Sequence, residues 1–267
     1  MPFKTINSTP LFYTSTPSTT PSPLTTLFVH GLGSSSCFYA SIIPSLSAQT
    51  YCIALDTPGS GLSTLGRKGA EQTIETIADD ALALLEALNV TENVVLVGHS
   101  MGGIVASVLA ERMGQRCKGV VLLGPVDPKE SLRGVFEKRV EVVKADGLEP
   151  LANTIPTGAT GTKSTALHHA FIRSLILGTS PDGYISLCNA IANAKRPGYI
   201  KVQVPLLILA GEDDKTAPLE SAKVIASEYG TEDGKKEVKV LKRVGHWHCV
   251  EASEEVAKFV GEFLTSL

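Results

Sequence analysis

The chain has 267 residues, enough for one sizeable core or for a core with an insertion. With 43% hydrophobic and 19% charged residues and a formal net charge of −3, it has the composition of an ordinary globular protein. No run of like charge marks a nucleic-acid or membrane-surface partner, and no stretch nears the roughly 18 continuous apolar residues of a membrane span. The first residues, Met1-Pro2-Phe3-Lys4-Thr5-Ile6, lack the apolar run of a secretory signal, so the expected location is the cytoplasm. Cys37, Cys52, Cys117, Cys188 and Cys249 are odd in number and widely spaced. That pattern predicts reduced, mostly buried thiols, with no disulfide framework or metal cluster.

Short apolar runs alternate with helical patterns along the chain, which predicts an α/β fold with a mainly parallel sheet. Phe3–Ile6 and Leu11–Ser15 read as an initial hairpin. The Pro-, Ser- and Thr-rich tract Thr14–Thr26 reads as an exposed loop. A strand ending at His30 follows, then a Gly-rich turn, a short helix at Ile42–Leu46 and a strand at Tyr51–Leu55. Thr73–Leu88 carries apolar residues at helical spacing, Asn93–Val97 is a strand, Gly102–Met113 a helix and Gly119–Leu123 a strand. From Asp127 to Val202 the alternation lapses into a mostly helical pattern, with loops expected at Pro156–Gly161 and Gly178–Gly183. The sheet pattern resumes at Pro205–Ala210, with a helix at Leu219–Tyr229, a strand at Glu237–Leu241 and a last helix at Ser253–Leu267. The expectation is an eight-stranded, mainly parallel sheet flanked by helices. Residues 1–126 and 203–267 form its core, and 127–202 form a helical lid inserted after the sixth strand, over the strand ends where such sheets bind ligands.

The motif that carries chemistry is Gly98-His99-Ser100-Met101-Gly102, followed by Gly103, placed where a strand meets a helix. Small neighbours let the backbone turn sharply and raise the serine hydroxyl above the sheet. The bare pattern is short enough to arise by chance; its strand–turn–helix setting makes it informative. The backbone N–H of the next residue, Met101, is then an oxyanion donor. Serine is a weak nucleophile and needs a base, which in turn needs an acid to orient it. Two aspartates, Asp213 and Asp214, follow the strand Pro205–Ala210, and a third, Asp127, follows Val120–Leu123. Past the last strand, Val244-Gly245-His246-Trp247-His248 offers two histidines, with Glu251 just beyond. His246 and His248 have no third ligand near them in sequence, which argues against a metal pair. His168 and His169 lie in the helical insertion and read as part of a polar helix face. The glycines at 31 and 33 with Asp56 faintly match a dinucleotide fingerprint, but Ser36 stands where the third glycine belongs.

In order and spacing, His30-Gly31, Gly98–Gly103, the loop around Asp214 and His246 together resemble the α/β-hydrolase superfamily over nearly the whole chain. In the family's acid loop a glycine is followed three residues later by Asp and seven later by Pro. That register fits Gly211, Asp214 and Pro218, so the resemblance implies a triad of Ser100, Asp214 and His246 and leaves Asp213 a loop or helix-cap residue. It implies a second oxyanion donor in the N–H of Leu32, and a structural turn at Asp56-Thr57-Pro58-Gly59-Ser60-Gly61. A serine nucleophile argues against the dehalogenase and epoxide-hydrolase branches. It leaves cleavage of a small-molecule ester or lactone without metal or organic cofactor, with C–C hydrolysis, acyl transfer or a non-catalytic receptor as alternatives. The segment Phe171–Leu177 with Pro181-Asp182-Gly183-Tyr184 resembles the lid of 3-oxoadipate enol-lactonases. That likeness implies a substrate-binding Arg173; Trp247, Phe136, Phe171, Leu175 and Tyr184 are candidate pocket walls or core.

Overall fold

The computed structural model describes residues 2–66 and 72–267. Eight strands form one sheet in the order β1-β2-β4-β3-β5-β6-β7-β8. They are β1 (Phe3–Ile6), β2 (Thr9–Thr16), β3 (Thr25–Val29), β4 (Tyr51–Leu55), β5 (Val94–His99), β6 (Cys117–Leu123), β7 (Leu206–Gly211) and β8 (Lys236–Leu241). The hairpin β1–β2 is antiparallel and adds to β4 antiparallel; all other pairs are parallel. The tract expected as a loop from Thr14 to Thr26 is shorter than its composition suggests. Thr14, Ser15 and Thr16 pair with Ala54, Ile53 and Cys52, and Thr25 and Thr26 open β3. Ladder hydrogen bonds and the β-branched threonines outweigh the polar composition there.

Helices cover both faces, so the central strands are apolar throughout. All six residues of β5 are buried, and its side chains alternate between two cores. Leu96 joins a cluster with Ile77 and Leu84 of α2 (Ile74–Ala87) and Ile104 and Leu109 of α3 (Met101–Met113). Val95 and Val97 join the opposite cluster with Phe28, Leu207, Val256 and Val260. That face is covered by α1 (Ile43–Leu46) and by the last helix of the chain, Ser253–Thr265. Helix α2 starts where a reciprocal capping box between Thr73 and Thr76 satisfies orphan N–H groups.

Between β6 and β7 lie α4 (Glu130–Asp146), α5 (Glu149–Gly158), α6 (Ala166–Leu177) and α7 (Pro181–Ala192). Two loop expectations shift here. Pro156 sits inside the last turn of α5, with its carbonyl accepting from the Thr160 hydroxyl at 2.6 Å. Pro181 opens α7 at the first helical position, behind a Ser180 cap. After β7 come α8 (Leu219–Glu228), a one-turn helix α9 (His248–Glu251) and α10 (Ser253–Thr265). Among the described residues no helix is long and apolar enough to cross a membrane.

The chain runs from β3 outward to β4 on one side, then returns to place β5 on the other side of β3. The loops that leave β3 and β5 therefore diverge and open a crevice at the strand ends, the usual ligand site of such sheets.

Candidate active site

Ser100 follows β5 at that crevice, with φ 55° and ψ −118°. This is a sparsely populated region that costs about 1–3 kcal/mol unless its surroundings impose it. They do: Ser100 N–H donates to Leu123 O at 3.0 Å, and Ser100 O accepts from Gly103 N–H at 2.9 Å. The flanking glycines are demanded by sterics. A Cβ on Gly98 would lie 2.2 Å from Gly102 O, and one on Gly102 would lie 2.0 Å from Val29 O. Met101 is the first residue of α3, where N–H groups have no helical acceptor.

The second turn, after β3, is set by His30. Its ring is fully buried, with Nδ1–H donating to Gly31 O at 2.7 Å and Nε2 accepting from Thr57 N–H at 3.0 Å. Burial lowers its pKa against the opposing pull of Asp56, so it stays neutral. Gly31 lets the turn approach Ser100; a Cβ there would sit 2.9 Å from Ser100 Cβ. The Asp56 carboxylate braces the turn beyond, accepting from Ser36 N–H at 2.6 Å and Leu62 N–H at 2.9 Å.

His246 is brought beside these turns by the loop after β8. Its Nδ1 meets Asp214 Oδ2 at 2.8 Å. The other Asp214 oxygen accepts from Thr216 and Ala217 N–H, both at 2.8 Å. Burial pushes the Asp214 carboxyl up, but His246, His248 and the Ala217 N–H outweigh it and hold the group below its ordinary range. An ionised carboxylate only accepts, so Nδ1 of His246 carries a proton, and in the neutral ring the lone pair is then on Nε2. The other two aspartates are engaged elsewhere. Asp127 pairs with Arg196 at 2.8 Å and Lys129 at 3.1 Å. Asp213 accepts from the backbone and hydroxyl of Thr162 in the insertion, at 2.8 and 3.0 Å.

The backbone of His246 is held as firmly as its ring. Its N–H donates to Ala159 O at 2.7 Å, and its carbonyl accepts from both His99 Nε2 and His248 Nδ1 at 2.8 Å. His99 stacks on Phe38 with centroids 4.2 Å apart. Burial drives its pKa well down and takes that of His248 to about 4. His248 is thus a neutral brace for the loop, and the described residues hold no cluster of three or more ligands suited to a metal ion.

Ser100, His246, Leu32 and Trp247 line one narrow cavity of about 40 Å³, closed from above by Phe136, Arg139, Ile176 and Tyr184 of the insertion. Arg173 lies elsewhere, on the outer side of α6, bonded to Glu149 and to Asn153. Phe171 is partly exposed and Leu175 is buried in the core under α6; neither reaches the cavity.

A family model described as the alpha/beta hydrolase fold matches residues 27–253. The chain belongs to the α/β-hydrolase family. Across 98 residues the chain is 38% identical to a cis-3-alkyl-4-alkyloxetan-2-one decarboxylase of Shewanella oneidensis, covering 36% of this chain and 31% of that protein. It is 26% identical over 264 residues to a 2-hydroxy-6-oxo-6-(2'-aminophenyl)hexa-2,4-dienoic acid hydrolase of Metapseudomonas resinovorans, covering 90% and 83% of the two chains. Among solved structures, the enol-lactonase of Burkholderia xenovorans LB400 superposes with a TM-score of 0.87 at 25% identity, covering 99% of this chain and 100% of that one.

Two groups of this α/β hydrolase escape the motif reading. Arg139 reaches the cavity from α4; its only sequence signal is a three-residue spacing from Phe136, which puts both on one helix face. Glu251 is buried and accepts three backbone N–H groups. Oε2 takes Gly161 at 2.7 Å and Gly245 at 3.0 Å, and Oε1 takes Trp247 at 2.9 Å. One carboxylate thereby clamps both sides of His246 and ties the insertion to them; a Glu five residues past a histidine gives no sign of that in sequence.

Proposed function

We propose that the chain is a serine hydrolase that cleaves a small carboxylic ester or lactone through an acyl-enzyme. The observation that carries this reading is the His246–Asp214 pair, whose free Nε2 and the strained Ser100 turn line the same cavity. Ser100 Oγ attacks the carbonyl while His246 Nε2 takes its proton, and Asp214 stabilises the imidazolium that forms. The N–H groups of Leu32 and Met101 donate hydrogen bonds to the developing oxyanion. Collapse expels the alcohol, which regains a proton from His246; water then repeats the sequence and releases the acid. The likeness to an enol-lactonase supports an ester-type bond, and helices α4–α7 act as the lid that sets which molecule enters. We also place the chain in the cytosol, consistent with five free cysteines of which four are buried.

The test is hydrolysis of a panel of p-nitrophenyl esters and small lactones by wild type and Ser100→Ala. The variant is expected to lose at least about 10⁴-fold in kcat. Activity that survives the substitution overturns the reading. If wild type is silent on the panel, a fluorophosphonate adduct on Ser100 keeps the nucleophile, and no adduct rejects it.

A further inference from the structure

The insertion side of the cavity is apolar except at one place. Phe136, Ile155, Ile176 and Ile191 line it, and among them stands the guanidinium of Arg139. Arg139 is half-buried and lies over the Phe136 ring, 5.3 Å from its centroid. It makes no ion pair among the described residues, whereas Arg112, Arg133, Arg173 and Arg196 each have a carboxylate partner. A half-buried guanidinium without a counter-ion leaves donors open to an anion.

Two further donors point to the same answer. Trp247 Nε1 is buried with no hydrogen-bond partner, Tyr184 Oη is buried beside the Arg139 guanidinium with no acceptor for its own O–H, and both side chains line this cavity. Burial raises the Tyr184 hydroxyl pKa to about 12 against the opposing charge of Arg139 and a hydrogen bond from its guanidinium, so the phenol keeps a proton that it can donate. Tyr184 is fixed in place by its contact with the turn at Gly33, where a Cβ would lie 3.0 Å from the ring. No carboxylate lines the cavity among the described residues. Unpaired donors and an unpaired cation in one enclosed space call for a ligand that is anionic and rich in acceptors.

We infer that Arg139, with Tyr184 and Trp247, forms an anion subsite, and that the substrate carries a free carboxylate besides the bond that is cleaved. This rests on the serine-hydrolase reading for the cleaved bond but not for the binding of the acid. The narrow cavity favours a compact molecule, and a half-ester or lactone of a short dicarboxylic acid carries both groups in few atoms. The guanidinium holds the carboxylate by charge-assisted hydrogen bonds, and the apolar wall around it strengthens them by excluding water.

Two measurements test it together. The first compares kcat/KM for monomethyl glutarate and methyl pentanoate, which differ in one terminal carboxylate, in wild type, Arg139→Met, Arg139→Lys and Tyr184→Phe. Wild type should prefer the acid. The preference ratio should fall about 10- to 100-fold in Arg139→Met, less in Tyr184→Phe, and recover in part in Arg139→Lys. The second titrates glutarate into wild type and Arg139→Met by calorimetry, with thermal melts confirming that both are folded. Binding should weaken by a similar factor in the variant.

No preference for the acid in wild type, an unchanged ratio in Arg139→Met, or glutarate binding that is absent or indifferent to Arg139 overturns the subsite. Ser100-dependent turnover with no role for Arg139 rejects the subsite and keeps the hydrolase. Arg139-dependent glutarate binding with neither turnover of the esters nor a fluorophosphonate adduct on Ser100 keeps the subsite and rejects the hydrolase.

Discussion

The two walls of the cavity are built on different principles. On the core side Ser100 and His246 are held through their own backbone atoms. Ser100 is pinned by Leu123 and Gly103, His246 by Ala159, His99 and His248, and Gly98 and Gly102 occupy places where any Cβ would collide. On the insertion side, helix faces present Phe136, Ile176 and Tyr184, with Arg139 as a lone cation. A wall of the first kind tolerates almost no change in position, which is what proton transfer requires. A wall of the second kind can be repainted side chain by side chain while the helices stay in place. The difference teaches where to look for chemistry and where to look for selectivity.

The sharpest way to break that comparison is Asp214→Asn. It keeps the shape of the core wall and inverts the polarity of one bond. An amide NH₂ facing His246 Nδ1 favours the tautomer with its proton on Nε2, where it no longer accepts from Ser100. A loss of about 10⁴-fold in kcat is expected, with the melting temperature far less affected. A loss below about tenfold would mean that the tautomer argument, and with it the role of Asp214, is wrong.

How far the molecule was legible in its sequence follows the same division. Strands β3 to β7 stand out because burial on both faces makes them continuous apolar runs, and β5 leads straight into the glycine-flanked serine. Ser100, Asp214 and His246 sit at strand ends, so motif and topology place them together. The insertion was visible as helices, yet helical periodicity does not say which face meets the cavity. Arg173 lies on the outer face with Glu149, and Arg139 on the inner one with Phe136. One-turn α9 also escaped, since four residues carry no period. The limits of the proline-bearing loops were misplaced because Pro156 is tolerated in a final turn and Pro181 in a first one.

A smaller effect, in stability, follows from the histidines that the core wall buries neutral. His30, His99 and His248 all have pKa values lowered by burial, His248 to about 4 against an ordinary 6.5. The unfolded chain takes up protons below pH 6.5 that the native site refuses, so stability rises with pH and is lost as pH falls from 6.5 towards 4. His248 alone contributes about 3 kcal/mol to that loss at full protonation of the unfolded chain. Asp214, held below its ordinary range, adds a loss of the same sign at still lower pH. Urea midpoints from pH 7 to pH 4.5 should fall, and His248→Asn, which keeps a donor where Nδ1 stands, should flatten the slope. An identical slope in the variant would show that His248 already titrates in the folded protein.

The smallest of these effects is also the one that joins the two walls. Glu251 accepts from Gly245 and Trp247 on either side of His246 and from Gly161 of the insertion. Asp213 makes a parallel tie to Thr162, but at the solvent-facing end of the same seam. Glu251→Gln retains the shape but sets an NH₂ against at least one backbone N–H in a buried site. The expected cost is about 2 kcal/mol of stability, with roughly a tenfold fall in kcat and little change in KM, since the base shifts while the pocket stays. Asp213→Asn, whose partners can turn to water, should cost less than Glu251→Gln and leave the pH profile of kcat in place. If Glu251→Gln loses stability but keeps kcat and its pH profile, the clamp supports the fold without positioning His246. If both variants behave alike, burial is not what makes the inner tie the stronger one, and the seam is held by the apolar contacts of the insertion instead.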